Sequence, residues 1–317
     1  MKVWMKYTVK KFISLVISLL FTSIVTFTAF QVIPGDSALS ALGMDATEKQ
    51  LEEYREEMGL NKSLPIRYIN WLKDALKGDF GYSSQYQMKV SALISGRLNV
   101  TLWLAVLSFL LIIVVSIPIG ILSARQNDGT LDVLITLLTQ VFMSVPPFFL
   151  GLLITLIFGI ILKWFTPGNY IDPGENFRMF IRFMMFPAIA VAVPKTAMTI
   201  KFLRSSLLRE MELDYVRTAR SKGMANISIL FRHILKNALI PVITILAMML
   251  ADILAGSILV EQVFNLPGLG RLLVSSIANR DYAVVQAIVL YIASVVIIIN
   301  FLVDLIYQWI DPRVKRD

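Results

Sequence analysis

Long apolar stretches alternate with short polar connections along most of the chain. A helix needs about 20 mostly apolar residues to cross ~30 Å of hydrocarbon, and six stretches meet this requirement. The pattern therefore predicts an all-α polytopic membrane protein with six transmembrane helices. The predicted spans are Phe12–Ile33, Leu98–Ala124, Leu131–Leu162, Phe183–Ile200, Ala238–Phe264 and Val284–Trp309.

Two of these spans carry features that need an interpretation. The third contains Pro146-Pro147, and because proline has no backbone N–H, this pair is expected to break or kink the helix. The first span follows Lys10 and Lys11, as the apolar core of a signal peptide would. Its apolar run is too long for a signal peptide and no A-x-A site follows, so an uncleaved membrane anchor is predicted.

The basic residues are concentrated on alternate connections. Segments 1–11, 125–130, 201–237 and 310–317 are rich in Lys and Arg, whereas segment 34–96 leans acidic. Cytoplasmic loops carry an excess of Lys and Arg, so both termini and the 201–237 loop are predicted to lie in the cytoplasm of a bacterial cell, with the protein in its cytoplasmic membrane. The net charge of +8 thus reflects topology, and no nucleic-acid partner is expected.

This topology divides the chain into four parts. The outer segment contains two helical patterns, a charged one over Ala46–Met58 and an amphipathic one over Pro65–Leu76. It is too small and polar for a large core, and a helical cap folded onto the membrane domain is expected. The predicted parts are an N-terminal tail with the first helix (1–33), an extracytoplasmic segment (34–96), a five-helix membrane domain (97–309) and a cytoplasmic tail (310–317).

The composition excludes several kinds of catalytic site. The chain has no cysteine and a single histidine, His233, which excludes disulfides, thiol catalysis and a His-rich metal site within the chain. The motifs GxxxxGK[ST], HExxH, GxSxG and GxGxxG are all missing from the sequence. We therefore expect no catalytic residue and no bound metal or cofactor in this chain.

The 201–237 loop is the largest predicted cytoplasmic feature. Its sequence indicates a helix, a break at Gly223, and a second helix that leads to Pro241 and the fifth span. Val216, Ala219 and Arg220 share one face by their i, i+3, i+4 spacing. One interpretation is a basic loop that touches anionic lipid. The alternative is a rigid helix that fits a groove on a cytoplasmic partner and transmits its motion.

The second interpretation is favoured because the chain resembles a known family, the permeases of binding-protein-dependent ABC importers in their dipeptide/oligopeptide/nickel form. Motifs similar to those of the family occur in the family's order along nearly the whole chain. They are IPGD (33–36), GLNKSLPIRYINWL (59–72), GDFGYS (78–83), NVTLWLA (99–105), DYVRTARSKG (214–223), RHILKNALIPV (232–242), VEQVFNLPGLGRLL (260–273), NRDYAVVQA (279–287), NFLVDLIY (300–307) and DPRVKR (311–316).

The resemblance implies a type I importer permease fold, in which six helices form half of a pore. It also implies that a helix of the 201–237 loop sits on an ATPase subunit, with Gly223 as the turn. The general family pattern of Glu-Ala-Ala before a Gly is replaced here by Arg217-Thr218-Ala219, so no Glu takes the usual role. The candidate residues for ATPase coupling are Asp214, Tyr215, Arg217, Thr218, Ala219, Arg220, Lys222 and Gly223.

Partners and cargo also follow from the resemblance. The implied partners are a second homologous permease, two ATP-binding cassette subunits that use ATP and Mg, an extracytoplasmic binding protein and membrane lipid. Peptides are the expected cargo, with nickel or another chelated metal as the alternative. An ion-coupled secondary carrier, with Lys195, Asp252 and Asp304 as its relay, is a further alternative, but it leaves the 201–237 loop unexplained.

Ionisable residues within the apolar spans are the remaining candidates, since charge at the bilayer centre is costly and often functional. Lys195, Asp252 and Glu261 are assigned by hypothesis to the translocation path, although Lys195 and Asp252 also suit a structural ion pair. Capping, or pairing with Arg271 or Arg313, is the structural alternative for Glu261 and Asp304. The candidate structural residues are Pro146, Pro147, Pro241, Pro267, Gly268, Gly270 and Asp304.

Overall fold

The computed structural model describes the backbone of residues 2–32, 47–57 and 61–310, and secondary structure in these ranges is helical apart from one isolated bridge between Tyr82 and Lys89. The helices are α1 (Lys2–Val32), α2 (Glu48–Glu57), α3 (Leu64–Leu76), α4 (Val90–Arg125), α5 (Thr130–Ser144), α6 (Pro147–Ile161, with a π-helical second half), α7 (Phe177–Met211), α8 (Asp214–Ser221), α9 (Asn226–Gly256), α10 (Ile258–Val263), α11 (Leu269–Ala278) and α12 (Tyr282–Ile310).

Five helices in the described ranges are long and apolar enough to cross a membrane, namely parts or all of α1, α4, α7, α9 and α12. Helices α5 and α6 form the sixth candidate as a bent pair, with an angle of 98° between them. The bend falls at Pro146 and Pro147: Pro146 is extended, and Pro147 opens the next helix, where its missing N–H needs no partner. The predicted break of the third span is therefore confirmed.

Several predicted helix ends are wrong, because an apolar window detects only the part of a helix that crosses hydrocarbon. Helix α4 begins at Val90 and not at Leu98, since its first turns pack against other parts of the chain. Helix α7 extends on both sides of the predicted Phe183–Ile200 and keeps Pro187 and Pro194 inside it. The fifth span was predicted to end at Phe264, but α9 ends at Gly256 and a separate short helix, α10, follows.

The main core lies between α4 and α7, and α9 packs against both. Leu104 of α4 and Phe180, Met184 and Leu203 of α7 are fully buried. A Cβ on Gly120 would lie 2.9 Å from the Leu203 side chain. This glycine therefore permits the close approach of the two helices.

A second core lies at one end of the bundle. There Val90 and Leu93 of α4 pack with Leu272 of α11 and with Val284 and Ile288 of α12. We call this end the far end. We call the opposite end, which carries residues 125–130 and 211–226, the loop end.

Both helical patterns predicted in the outer segment are confirmed, as α2 and α3. Helix α3 contacts the first span at the far end: the hydroxyls of Tyr68 and Ser23 are 2.8 Å apart, and the Phe27 ring packs edge-to-face against Tyr68 and at a tilt against Trp71. The predicted IPGD motif at 33–36 and the DPRVKR motif at 311–316 lie outside the described residues.

Candidate coupling surface and charged sites

Helix α8 is a short, two-faced helix at the loop end, directly after α7. Val216 and Ala219 are buried in the main core, at 0% and 8% exposure. Arg217, Thr218 and Arg220 are exposed. Arg220 lies at the edge of the buried face, as predicted: it follows Val216 by one helical turn and lines a crevice with Met211, Ile229 and Leu230 of the core. Among the candidate residues for ATPase coupling, Ala219 faces inward. Its small side chain packs against the core and holds the helix in place.

Two interactions fix the start of α8. The Tyr215 hydroxyl donates to a Glu210 carboxylate oxygen at 2.7 Å, which ties α8 to the end of α7. Burial raises the pKa of Tyr215, the nearby Glu210 raises it further, and a hydrogen bond with Asn237 opposes both effects. Asp214 stays exposed at the first turn, 3.6 Å from Arg217, where a negative charge complements the helix dipole.

Gly223 ends this element in the way the sequence predicts. Its φ is +74°, and its N–H donates to the Arg220 carbonyl at 2.9 Å. A Cβ at Gly223 would meet nothing within 4 Å. The requirement for glycine is therefore conformational, since L side chains disfavour this backbone region. Lys222, just before the turn, is exposed.

A buried ion pair connects two helices at the loop end. The spacing of residues in the sequence did not predict it. The Arg204 guanidinium in α7 donates twice to Asp132 at the start of α5, at 2.6 and 2.5 Å. Ser123 and the Asp128 backbone N–H also donate to this carboxylate. Asp132 is 2% exposed. The 125–130 turn is thereby clamped to the helix that leads into α8.

Lys195 of α7 and Asp252 of α9 form an ion pair between the two spans. The two residues were predicted either to line the path or to pair, and the structure brings them together. The Lys195 side chain is 15% exposed and the Asp252 side chain 66%. Because one carboxylate face stays open, Asp252 can contact another molecule without losing its lysine.

Glu261 is fully enclosed and joins three elements. One carboxylate oxygen accepts from Thr101 of α4 at 2.7 Å, and the other accepts from the N–H groups of Gly270 and Arg271 at 2.7 and 3.2 Å. The Leu269 N–H donates to the Thr101 hydroxyl at 2.9 Å. The N–H groups of Leu269, Gly270 and Arg271 are the first in α11, and they have no acceptor within that helix. Glu261 thus caps α11 and offers no surface to cargo in this conformation.

The glycines of the same motif make room for this carboxylate. A Cβ on Gly268 would lie 2.3 Å from a Glu261 oxygen, and a Cβ on Gly270 would lie 2.4 Å from the Ile258 Cα. Pro267 precedes them, in the turn between α10 and α11. The structural role predicted for Gly268 and Gly270 thus has a steric cause.

Two further carboxylates link distant segments of the chain. Asp304 of α12 pairs with Lys11 of α1 at 2.6 Å, whereas the sequence suggested Arg271 or Arg313 as its partner; Arg313 lies outside the described residues. Asp281 at the start of α12 is 1% exposed and accepts from the Ser83 hydroxyl at 2.5 Å. Asp281 belongs to the NRDYAVVQA motif, whose resemblance to the family implies no role for this residue.

Two family descriptions match the chain. The description "binding-protein-dependent transport system inner membrane component" matches residues 116–316, and its N-terminal counterpart matches residues 4–105. The chain belongs to this family. As a member, it is a multi-pass permease subunit of a binding-protein-dependent transport system.

Curated relatives of this permease match it over almost their full length. A probable peptide ABC transporter permease of Sinorhizobium fredii is 34% identical over 98% of the chain and 99% of the relative. The oligopeptide transport system permease protein AppB of Bacillus subtilis is 34% identical over the same shares. A putative peptide permease of Brucella suis is 35% identical over 94% of the chain and 95% of the relative.

The permease has no group of three or more His, Cys, Asp or Glu residues arranged to hold a metal ion in its described ranges. Its buried carboxylates at positions 132, 261 and 281 each have a protein partner, and the partly exposed Asp304 pairs with Lys11. These four carboxylates hold parts of the described chain together, whereas Asp252 combines a lysine partner with a side chain that is 66% exposed.

Proposed function

We propose that this permease imports peptides delivered by an extracytoplasmic binding protein, and that it works with a second homologous permease and two ATP-binding cassette subunits. The three relatives cited above are named for peptide or oligopeptide transport. Each aligns with this chain over at least 94% of its length. The proposal thus rests on whole-chain similarity.

The ATPase subunits supply the energy and this chain receives it. ATP and Mg are bound by those partners, since the chain contains no phosphate-binding loop motif. The orientation that fits this role places both termini and the loop end in the cytoplasm, in agreement with the excess of Lys and Arg on these segments.

The observation that carries the coupling role is the geometry of α8. Its apolar face is locked into the core by Val216 and Ala219, and its other face presents Arg217, Thr218 and Arg220 to an outside partner. A helix held in this way transmits a push or pull to the spans. The Arg204–Asp132 pair next to it passes the displacement on to α5.

The translocation path runs past Asp252 in this proposal. Its side chain is largely exposed although it lies in a span. A charged side chain that is exposed in this way is stable in contact with water or protein, but its contact with lipid hydrocarbon is costly. The surface around Asp252 therefore faces the second permease or the pore between the two subunits.

The decisive experiment purifies the tagged chain from its host in mild detergent and identifies its partners by mass spectrometry. Co-purification of a second permease and ATPase subunits is expected, and ATP-dependent peptide uptake should follow reconstitution with the binding protein. A chain that purifies alone and moves cargo under a proton gradient without ATP would contradict the proposal.

A matched pair of variants isolates the coupling surface. Arg217→Glu should weaken retention of the ATPase subunits about ten-fold, because it reverses a charge on the docking face. Lys236→Glu reverses a charge that is also exposed at the loop end but lies outside α8, and it should leave retention within a factor of two. If both variants lose the ATPase subunits equally, the overall charge of the loop end is responsible and not a specific contact of α8.

A further inference from the structure

A polar cavity of about 570 Å³ lies at the far end of the bundle, where α1, α3 and α12 meet. The spans contribute Phe27 and Gln31 from α1 and Gln286 from α12. The remaining wall comes from the outer segment between residues 62 and 81. None of the roles assigned above uses this cavity.

Two hydrogen-bond donors in its wall have no acceptor among the residues that the structure describes. Gln286 is 9% exposed, and its side-chain nitrogen is buried without a hydrogen-bond partner in the described chain. Leaving such a donor unmatched is costly. Arg67 is half-buried and makes no side-chain hydrogen bond or ion pair with the described residues. Burial lowers the pKa of Arg67.

The charge of the wall favours an anion. Four basic side chains and two acidic ones line the cavity, and one of the acids, Asp79, already accepts the Gly81 N–H at 3.0 Å. An anion inside the cavity would satisfy both Arg67 and Gln286. The basic side chains are those of Lys62, Arg67, Lys73 and Lys77.

The position of α3 indicates which anion this is. Tyr68 and Trp71 pack against Phe27 of the first span, whereas Ile69 and Leu76 remain exposed at 49% and 81%. A helix with basic residues on one side and exposed apolar residues on another is typical of the membrane interface. An occupant with an anionic head and an apolar tail complements both surfaces.

We propose that this cavity binds the phosphate headgroup of an anionic phospholipid from the leaflet at the far end, with Arg67 and Gln286 donating to the phosphate. The lipid holds α3 against α1 and α12. This inference is independent of the cargo and of the ATPase partners.

The test measures phosphatidylglycerol retained by the full-length chain, purified with its accompanying subunits, by native mass spectrometry. Arg67→Gln should lower retention about five-fold, and Gln286→Met, which keeps an unbranched side chain of similar length and removes the amide, should lower it about two- to five-fold. Arg97→Gln is the control, because Arg97 is also half-buried at the far end and does not line the cavity. Unchanged retention in the first two variants, or an equal loss at Arg97, overturns the proposal.

Further arms separate the sources of the anion. Phosphatidylcholine should not replace phosphatidylglycerol, and inorganic phosphate should not displace it; displacement would assign the cavity to a free anion and overturn the lipid assignment. If Arg67→Gln weakens capture of the binding protein while lipid retention stays unchanged, the cavity belongs to that partner instead. Arg67→Lys keeps the charge and should restore part of the retention, which distinguishes lost binding from misfolding.

Discussion

Glu261 shows how a carboxylate can be held inside a largely apolar protein. One of its oxygens accepts from two N–H groups at the start of α11, and the other accepts from the Thr101 hydroxyl, which in turn accepts from a third. The carboxylate therefore satisfies the start of α11 partly directly and partly through Thr101. Removal of any one of these groups leaves a buried donor or acceptor without a partner. The free-energy penalty for that unsatisfied group exceeds the net stabilisation that the hydrogen bond provides.

Gly270→Ala should destabilise the permease by about 1–3 kcal/mol, because its Cβ would lie 2.4 Å from the Ile258 backbone. The measurement is the thermal unfolding midpoint of the purified protein. Gly96→Ala is the matched control: a Cβ at this position in α4 meets nothing within 4 Å, so the midpoint should stay equal or rise. Equal midpoints for both variants would contradict the steric account.

If the open face of Asp252 lines the path, Asp252→Asn should reduce the uptake of cationic peptides more than that of neutral peptides. The ratio of cationic to neutral uptake should fall about five-fold. Uptake of lysine-containing and alanine-containing peptides of equal length in proteoliposomes gives this ratio. Asp304→Asn also breaks an ion pair between two helices, and it should change both rates alike. An unchanged ratio for Asp252→Asn would assign this residue to packing alone.

At the scale of elements, the bend between α5 and α6 and the turn at Gly223 were both readable from the sequence, because proline and glycine act through their own backbone. The partners of the charges were not readable. Asp132 lies 72 residues from Arg204, and Asp281 lies 198 residues from Ser83. Local spacing carries no information about which distant segment a side chain meets. Helix ends were missed for the same reason, since packing at Val90 extends α4 beyond its apolar run.

Asp132→Ala should cost about 3–5 kcal/mol, because it leaves the Arg204 guanidinium without its buried partner. Asp214→Ala removes a carboxylate from an ion pair that is 75% and 95% exposed, and it should cost less than about 1 kcal/mol. Thermal unfolding of the two variants side by side checks this. Similar losses would show that the Asp132 pair is not effectively buried in the assembled transporter.

Gly223→Ala should strain the turn after α8 by about 1 kcal/mol, and Gly223→Asn should cost less, since Asn tolerates a positive φ. Because open space surrounds the position, the effect should appear in ATPase coupling more than in unfolding. Peptide-stimulated ATPase activity of the reconstituted transporter measures it. A larger loss with Asn than with Ala would refute the conformational explanation.

On the scale of the whole molecule, the absence of cysteine from the sequence allows the orientation to be tested directly. Thr218→Cys places a thiol on exposed α8 and Lys77→Cys places one at the exposed far end. A membrane-impermeant maleimide should label position 77 in intact spheroplasts and position 218 only in inverted vesicles. The reverse pattern would invert the proposed topology.

The length of α7 has a mechanical consequence. Its 35 residues span about 50 Å, from Phe177 at the far end to Met211 next to α8. For a rod of this length, a tilt of about 5° around one end displaces the other by roughly 4–5 Å. A small rotation of α7 about its Phe177 end therefore gives a displacement of nearly one helical turn at its Met211 end, directly before α8.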